Sequence, residues 1–139
     1  MQLSIAEVLQ KVVGGEKVAD KARLLVKYDS ATLRRILKYV YSEKITFDGL
    51  PAGVPPYTPN ALVDQEGILY AETRRLYLFT DGGNPNLKQA RKEALFIEML
   101  ENVDSKDAGV LIAMKDKKMP EPFKSITKAV VKKAFPDLL

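Results

Sequence analysis

Apolar residues along this chain recur mostly at helical rather than strand spacing. Ile5, Val8, Leu9 and Val12 fall three or four residues apart, so they share one face of a helix over 4–13. Ser4 precedes that face and Glu7 follows three residues later, the pairing of a reciprocal N-terminal cap. Gly14 and Gly15 end the helix. A second helix is predicted over 16–28, with Val18, Ala22, Leu25 and Val26 inward. Ser30 caps a third, running to about Ser42. That helix buries Leu33, Ile36, Leu37, Val40 and Tyr41 and leaves Arg34, Arg35 and Lys38 in solvent.

Further along, a fourth helix is predicted over 62–80, with Leu69, Leu76 and Phe79 in the core, ended by Asp81, Gly82 and Gly83. Asn84 as cap and Pro85 in the first turn start a fifth, reaching about Asn102. Its apolar residues are Leu87, Ala90, Ala94, Leu95, Ile97 and Leu100. Ser105 caps a sixth that carries the run Val110, Leu111, Ile112, Ala113, Met114. Ser125 caps a last helix ending before Pro136. Residues 44–47 are β-branched and aromatic and read as a short extended segment. Residues 48–59 hold Pro51, Pro55, Pro56 and Pro59, too many prolines for a regular helix. That loop is either a binding loop or an ordered connector packing Tyr57 on the core. The expected fold class is therefore all-α: one domain over 1–139, of six to seven helices, with a proline-rich loop and room for one short extended segment.

A chain of 139 residues buries roughly two-thirds of its unfolded surface, enough for a real core. There is no cysteine and no histidine. That removes disulfides, thiolate chemistry, Ser-His triads and most zinc sites. The carboxylates Asp64, Glu66, Glu72 and Asp81 are scattered, without the spacing of a metal site. The sequence is read as a non-enzymatic binding protein with no catalytic residue, no metal, no cofactor and no small-molecule substrate. No run approaches the ~18 apolar residues of a membrane span, and the start lacks a signal-peptide pattern. A cytoplasmic protein without a membrane partner is expected.

Charge adds the one functional asymmetry. Between Lys115 and Lys133 lie seven lysines against only Asp116 and Glu121, while the whole chain carries +4. Lys115, Lys117, Lys118 and Lys124 fall on a proline-broken loop. Ser125, Thr127 and Lys128 follow at a helix start, with Lys132 one turn on. Helix amides, hydroxyls and lysines together suit phosphate oxygens; a solvated basic face is the plainer alternative. A second candidate is the glycine turn before Asn84 and Asn86, followed by Lys88, Arg91 and Lys92, which is otherwise only a capped turn between helices. A third is Gly14-Gly15-Glu16-Lys17, between Lys11 and Lys21. If the three turns converge, they form a cradle for a nucleic-acid backbone. The pairs Arg34-Arg35 and Arg74-Arg75 either grip phosphates or bridge helices through Glu66 and Glu72.

In its order of elements the chain resembles the all-helical N-terminal DNA-binding domain of phage-type ATP-dependent DNA ligases. The likeness runs through the first helix, the Gly14-Gly15 turn, the second helix and Leu33-Arg34-Arg35-Ile36-Leu37-Lys38-Tyr39-Val40-Tyr41-Ser42. It continues in the Gly83-Asn84 turn, Met114-Lys115-Asp116, Ser125-Ile126-Thr127-Lys128 and Ala134-Phe135-Pro136-Asp137-Leu138. The chain is also similar to small proteins of tailed phages, which implies the host bacterial cytoplasm as location. In the ligase family the domain binds duplex DNA through backbone and minor-groove contacts and helps encircle a nick. The resemblance therefore implies that Lys115, Lys124, Ser125, Thr127, Lys128 and the Asn84 turn face DNA. Two departures stand out. No Lys-x-Asp-Gly adenylation motif occurs, since Lys27-Tyr28-Asp29 is followed by Ser30, and the proline loop is elaborated. The expectation is a stand-alone, sequence-independent DNA-binding module without a catalytic domain, acting on duplex or nicked DNA. The alternative is a phage protein-interaction module that docks on a replication, transcription or host-defence protein.

Overall fold

The computed structural model describes residues 3–47, 49–62 and 65–139. Among them are seven α-helices, two 3₁₀ helices and no strand. The helices are α1 (Ile5–Val12), α2 (Val18–Lys27), α3 (Ala31–Tyr41), α4 (Ile68–Glu72), α5 (Gln89–Asn102), α6 (Ser105–Lys115) and α7 (Lys128–Ala134). The 3₁₀ helices are Thr73–Phe79 and Glu121–Phe123. The all-helical class expected from the spacing is what the chain forms.

The reciprocal cap of α1 is present. The Ser4 hydroxyl accepts from the Glu7 amide at 3.1 Å, and the Glu7 carboxylate accepts from the Ser4 amide at 3.1 Å. All four stripe residues of α1 are buried. Ser30 caps α3 through the Leu33 amide at 3.0 Å. Helix α6 is buried from Asp107 to Lys115 except at Gly109, so it sits centrally. It packs on α1, α3 and α5, while α7 packs on α2. One hydrophobic cluster joins these helices, with Phe79 meeting Phe96 edge-to-face at 5.2 Å where the Thr73–Phe79 helix crosses α5.

Four boundaries differ from the expectation. The long fourth helix is only α4, tightened from Thr73 onward into a 3₁₀ helix. Its buried residues are Thr73, Leu76 and Phe79, spaced by three, and three residues per turn stack them in one column. Asn84-Pro85 forms a turn instead of starting α5. The Asn84 side chain accepts from the Asn86 amide at 3.1 Å, and α5 begins only after extended Lys88. Asp104, not Ser105, caps α6. Thr127, not Ser125, caps α7, accepting from the Val130 amide at 3.4 Å. At α6 and α7 another nearby polar residue took the cap, and sequence alone offered both candidates. The expected core of α5 also shifts: Phe96, Met99 and Leu100 are buried, whereas Ala90 and Ala94 are exposed.

Of the expected extended segment at 44–47, Phe47 packs edge-on against Tyr39 at 5.6 Å and the Thr46 carbonyl accepts from the Asp81 amide at 2.8 Å. The proline loop is an ordered connector over its described residues, and Tyr57 packs on the core. The side chain of Lys115, 2% exposed, donates to the carbonyls of Pro51 and Gly53 at 2.9 Å each and to Asp116 at 2.7 Å. Asp116 accepts in turn from the Gly53 amide at 3.1 Å. Glu101 accepts from the Thr58 amide at 2.7 Å and the Asn102 carbonyl accepts from the Asn60 side chain at 3.0 Å. Changing Lys115→Met is expected to release residues 50–53. The measurement is limited proteolysis followed by mass spectrometry, with new cleavage in that loop. A loss of about 2 kcal/mol of global stability is expected, in the range for hydrogen bonds made by a charged group.

Candidate functional site

The predicted basic edge does not assemble as expected. Lys115 is spent on the proline loop. Lys117 turns inward as well: its ammonium donates to the carbonyls of Tyr39, of Ser42 at 2.8 Å and of Ile45 at 2.7 Å. Burial pushes that ammonium below the ordinary lysine value. Both residues are withdrawn from the DNA-facing set, because a lysine whose three donors meet protein oxygens has none for phosphate. Lys124 is exposed and pairs with Glu121. Lys118 and Ser125 are exposed. The Thr127 hydroxyl is engaged in capping the short helix α7. Lys17 precedes α2, its amide held by Asp20 at 3.2 Å. Asn84, Asn86 and Lys88 lie on the turn before α5.

Helix α3 is where cations collect. Arg34 lies over the Phe135 ring at 4.5 Å, and the Tyr41 hydroxyl donates to the Ile126 carbonyl, so α7 runs antiparallel along α3. Near the C-terminal end of α3, Lys128 and Lys132 meet Lys44 around a small hollow of about 180 Å³ that also takes in Glu43, Tyr41 and Leu139. Lys128 stands 3.5 Å from Glu43. Two residues from the expected set are therefore brought together, joined by one that was not expected.

On another side of α3 lies a larger open cleft of about 640 Å³. Its α3 wall carries Arg34, Arg35 and Lys38; the facing wall is the Thr73–Phe79 helix, with Arg74 and Tyr77; Ile45 and Tyr39 also contribute. No carboxylate lines it among the described residues. The walls are fastened together. The Thr73 hydroxyl meets the Thr32 hydroxyl at 3.0 Å, and Arg35 donates to the Thr73 carbonyl at 3.3 Å. The next turn is built tightly behind Tyr77: a Cβ on Gly83 would lie 1.9 Å from the Tyr77 carbonyl oxygen, so only glycine fits there. Neither this cleft nor the hollow at α7 includes Lys17, Asn84, Asn86 or Lys88.

The arginine pairs divide between the two roles proposed for them. Arg34 makes two 2.7 Å bonds to Asp29 and holds that carboxyl below its ordinary value. Arg75 bonds Glu72 at 2.8 Å. Arg35 bridges to the opposite wall, while Lys38 and Arg74 make no ion pair or hydrogen bond among the described residues. Two cations unpaired among the described residues, Lys38 and Arg74, therefore line one cleft, with Arg35 beside them and Arg34 already paired with Asp29.

One polar residue that the sequence reading passed over is Asp107. It is wholly buried on α6 and accepts from the Ala6 amide of α1 at 2.8 Å. No helix among the described residues is long and apolar enough to cross a membrane. No curated protein and no solved structure matches the chain. Residues 8–121 match a family of unknown function, DUF6433, a span that contains the α3 cleft and stops before Lys128 and Lys132. By that match the chain belongs to the DUF6433 family.

Proposed function

We propose that this domain binds DNA through its phosphate backbone, without reading sequence, and that the cleft between α3 and the Thr73–Phe79 helix is the contact surface. The observation that carries the reading is the lining of that cleft: Lys38 and Arg74, unpaired among the described residues, beside Arg35, and no carboxylate in the lining; Arg34, also on the wall, is already paired with Asp29. Arginine forks suit phosphate oxygens in pairs, and an open concave surface lets a chain of phosphates pass through. Lys44, Lys128 and Lys132, at the far end of α3, supply a second cluster of the same sign. Contacts of this kind position a backbone and carry no base information.

The test is a titration of fluorescent DNA at two salt concentrations. Affinity is expected to fall steeply with salt, because each neutralised phosphate releases counterions. Lys38→Glu with Arg74→Glu is expected to weaken binding by at least about tenfold and to flatten the salt slope by about two. Neither residue is tied to a carboxylate, so the melting temperature should hold. Absence of binding at low salt rejects the reading.

A second reading, a protein-docking module, is favoured by a different feature. The proline loop and α5 enclose an apolar cleft of about 260 Å³ lined by Leu50, Pro55, Phe96 and Ile97, beside the exposed Val54. A partner recovered after nuclease treatment, and lost with Val54→Asp, distinguishes it from DNA binding.

A further inference from the structure

We infer that the α3 cleft takes an unpaired DNA strand, with one base stacked on the ring of Tyr77. This rests on the DNA-binding reading and specifies the form of DNA. Tyr77 is half exposed, 50%, although it lies within a fold that buries most of its large apolar side chains. Its side chain makes no hydrogen bond and no ring contact among the described residues, and it opens onto the same cleft as Arg34, Arg35, Lys38 and Arg74. By contrast, the other aromatic residue of the cleft, Tyr39, is buried and covered by Phe47.

The 3₁₀ geometry makes the arrangement specific. With three residues per turn, Arg74 and Tyr77 lie one above the other on the same face. A guanidinium and a phenol ring thus follow one another along one wall. Arg35 and Lys38, about one helical turn apart on α3, form the other wall. Cations that follow the backbone, together with an aromatic face turned toward the bases, are the two components of single-strand binding. A duplex has its base faces covered by stacking, so against duplex the exposed ring gains nothing. An unpaired strand presents a π-face to it, and any base serves, in keeping with sequence-independent binding. The backbone that carries the ring is held, since Gly83 packs against the Tyr77 carbonyl and the Thr80 hydroxyl donates to it at 2.7 Å.

The experiment compares a labelled oligothymidine, which has no secondary structure, with a labelled duplex of equal length, by fluorescence anisotropy, on the wild-type chain, Tyr77→Ala and Tyr77→Phe. Wild type is expected to bind oligothymidine more tightly than duplex. Tyr77→Ala should weaken oligothymidine binding by roughly 5- to 100-fold, the range for loss of one base–aromatic stack. It should leave duplex binding and the melting temperature unchanged. Tyr77→Phe, which keeps the ring, should bind like wild type. Equal oligothymidine binding by wild type and Tyr77→Ala overturns the inference while leaving the DNA-binding reading in place. So does a wild-type preference for duplex. Failure to bind either DNA at low salt overturns both.

Discussion

Replacing Lys117 by Met is expected to cost about 3–4 kcal/mol of stability, although the residue reads in sequence as a surface lysine of a basic loop. Helix α3 ends with carbonyls that have no helical partner, as every helix does. The Lys117 ammonium reaches from the end of α6 to the Tyr39 carbonyl of α3 and to those of Ser42 and Ile45 just beyond it. A cation at a helix C-terminus also opposes the negative end of its dipole. Methionine fills the same space but leaves those oxygens without their charged donor, and an unsatisfied buried group costs about 1–3 kcal/mol. At roughly 3–4 °C per kcal/mol for a domain of this size, the melting temperature should fall by about 10 °C. Calorimetry measures it directly, and a change under 2 °C would sink the argument.

The backbone supplies an internal control. Lys117 has φ of 61°, the left-handed region where glycine is usual after a helix. Its amide donates to the Met114 carbonyl at 2.9 Å and that of Lys118 to Ala113 at 3.0 Å, which completes a Schellman motif around it. Lysine is strained there by about 1 kcal/mol relative to glycine. Lys117→Gly should therefore destabilise less than Lys117→Ala, by about that amount. If the side chain did nothing, Lys117→Gly would stabilise the domain relative to wild type. The sign of that one change decides between the two accounts.

What the sequence disclosed follows from what period and charge encode. The stripes of α1 and α3 and the caps at Ser4 and Ser30 are local, so they were legible. The 3₁₀ helix was not, because over seven residues a period of three is hard to tell from 3.6, and Leu76 and Phe79, three apart, fit either. Lys115 and Lys117 misled for a tertiary reason. Their partners are backbone oxygens 62 to 78 residues away, and no local pattern marks a carbonyl that will need a cation. The one available hint was the absence of glycine after α6. For the cleft, both arginine pairs stood out, but which member faces the cleft depends on how the Thr73–Phe79 helix lies against α3. Tyr77 lay within the helix predicted over 62–80 and carried no distinguishing mark. Val54-Pro55-Pro56-Tyr57 was legible as a loop, and its fastening by Lys115, Asp116 and Glu101 was not.

Stability is expected to fall as pH rises through about 7, and Asp107 is the cause. Its carboxyl is buried at the start of α1, and burial raises its value from the ordinary 3.8 to about 7. The Ala6 and Ile5 amides pull the other way, while the Asp104 and Glu7 carboxylates add to the rise. One oxygen accepts from the Ala6 amide at 2.8 Å, and Oδ2 has no partner among the described residues. The nearby Tyr70 hydroxyl does not help, since it donates to the Leu3 carbonyl at 2.9 Å. Between about pH 3.8 and 7 the folded chain holds a proton that the unfolded chain has released. This group's contribution is therefore full below pH 3.8 and is lost as pH rises through about 7. At about 1.4 kcal/mol per unit, the loss approaches about 4 kcal/mol above pH 7. Asp107→Asn keeps an oxygen for the Ala6 amide and removes the charge. It should raise the melting temperature at pH 8 by roughly 10 °C and change it little at pH 4. Asp107→Ala leaves the Ala6 amide unpaired and should gain less at pH 8 and lose at pH 4. Urea melts of the three chains across this range separate the charge from the hydrogen bond. A wild-type midpoint that does not fall between pH 5 and 8 would mean that Asp107 remains ionised in the folded core.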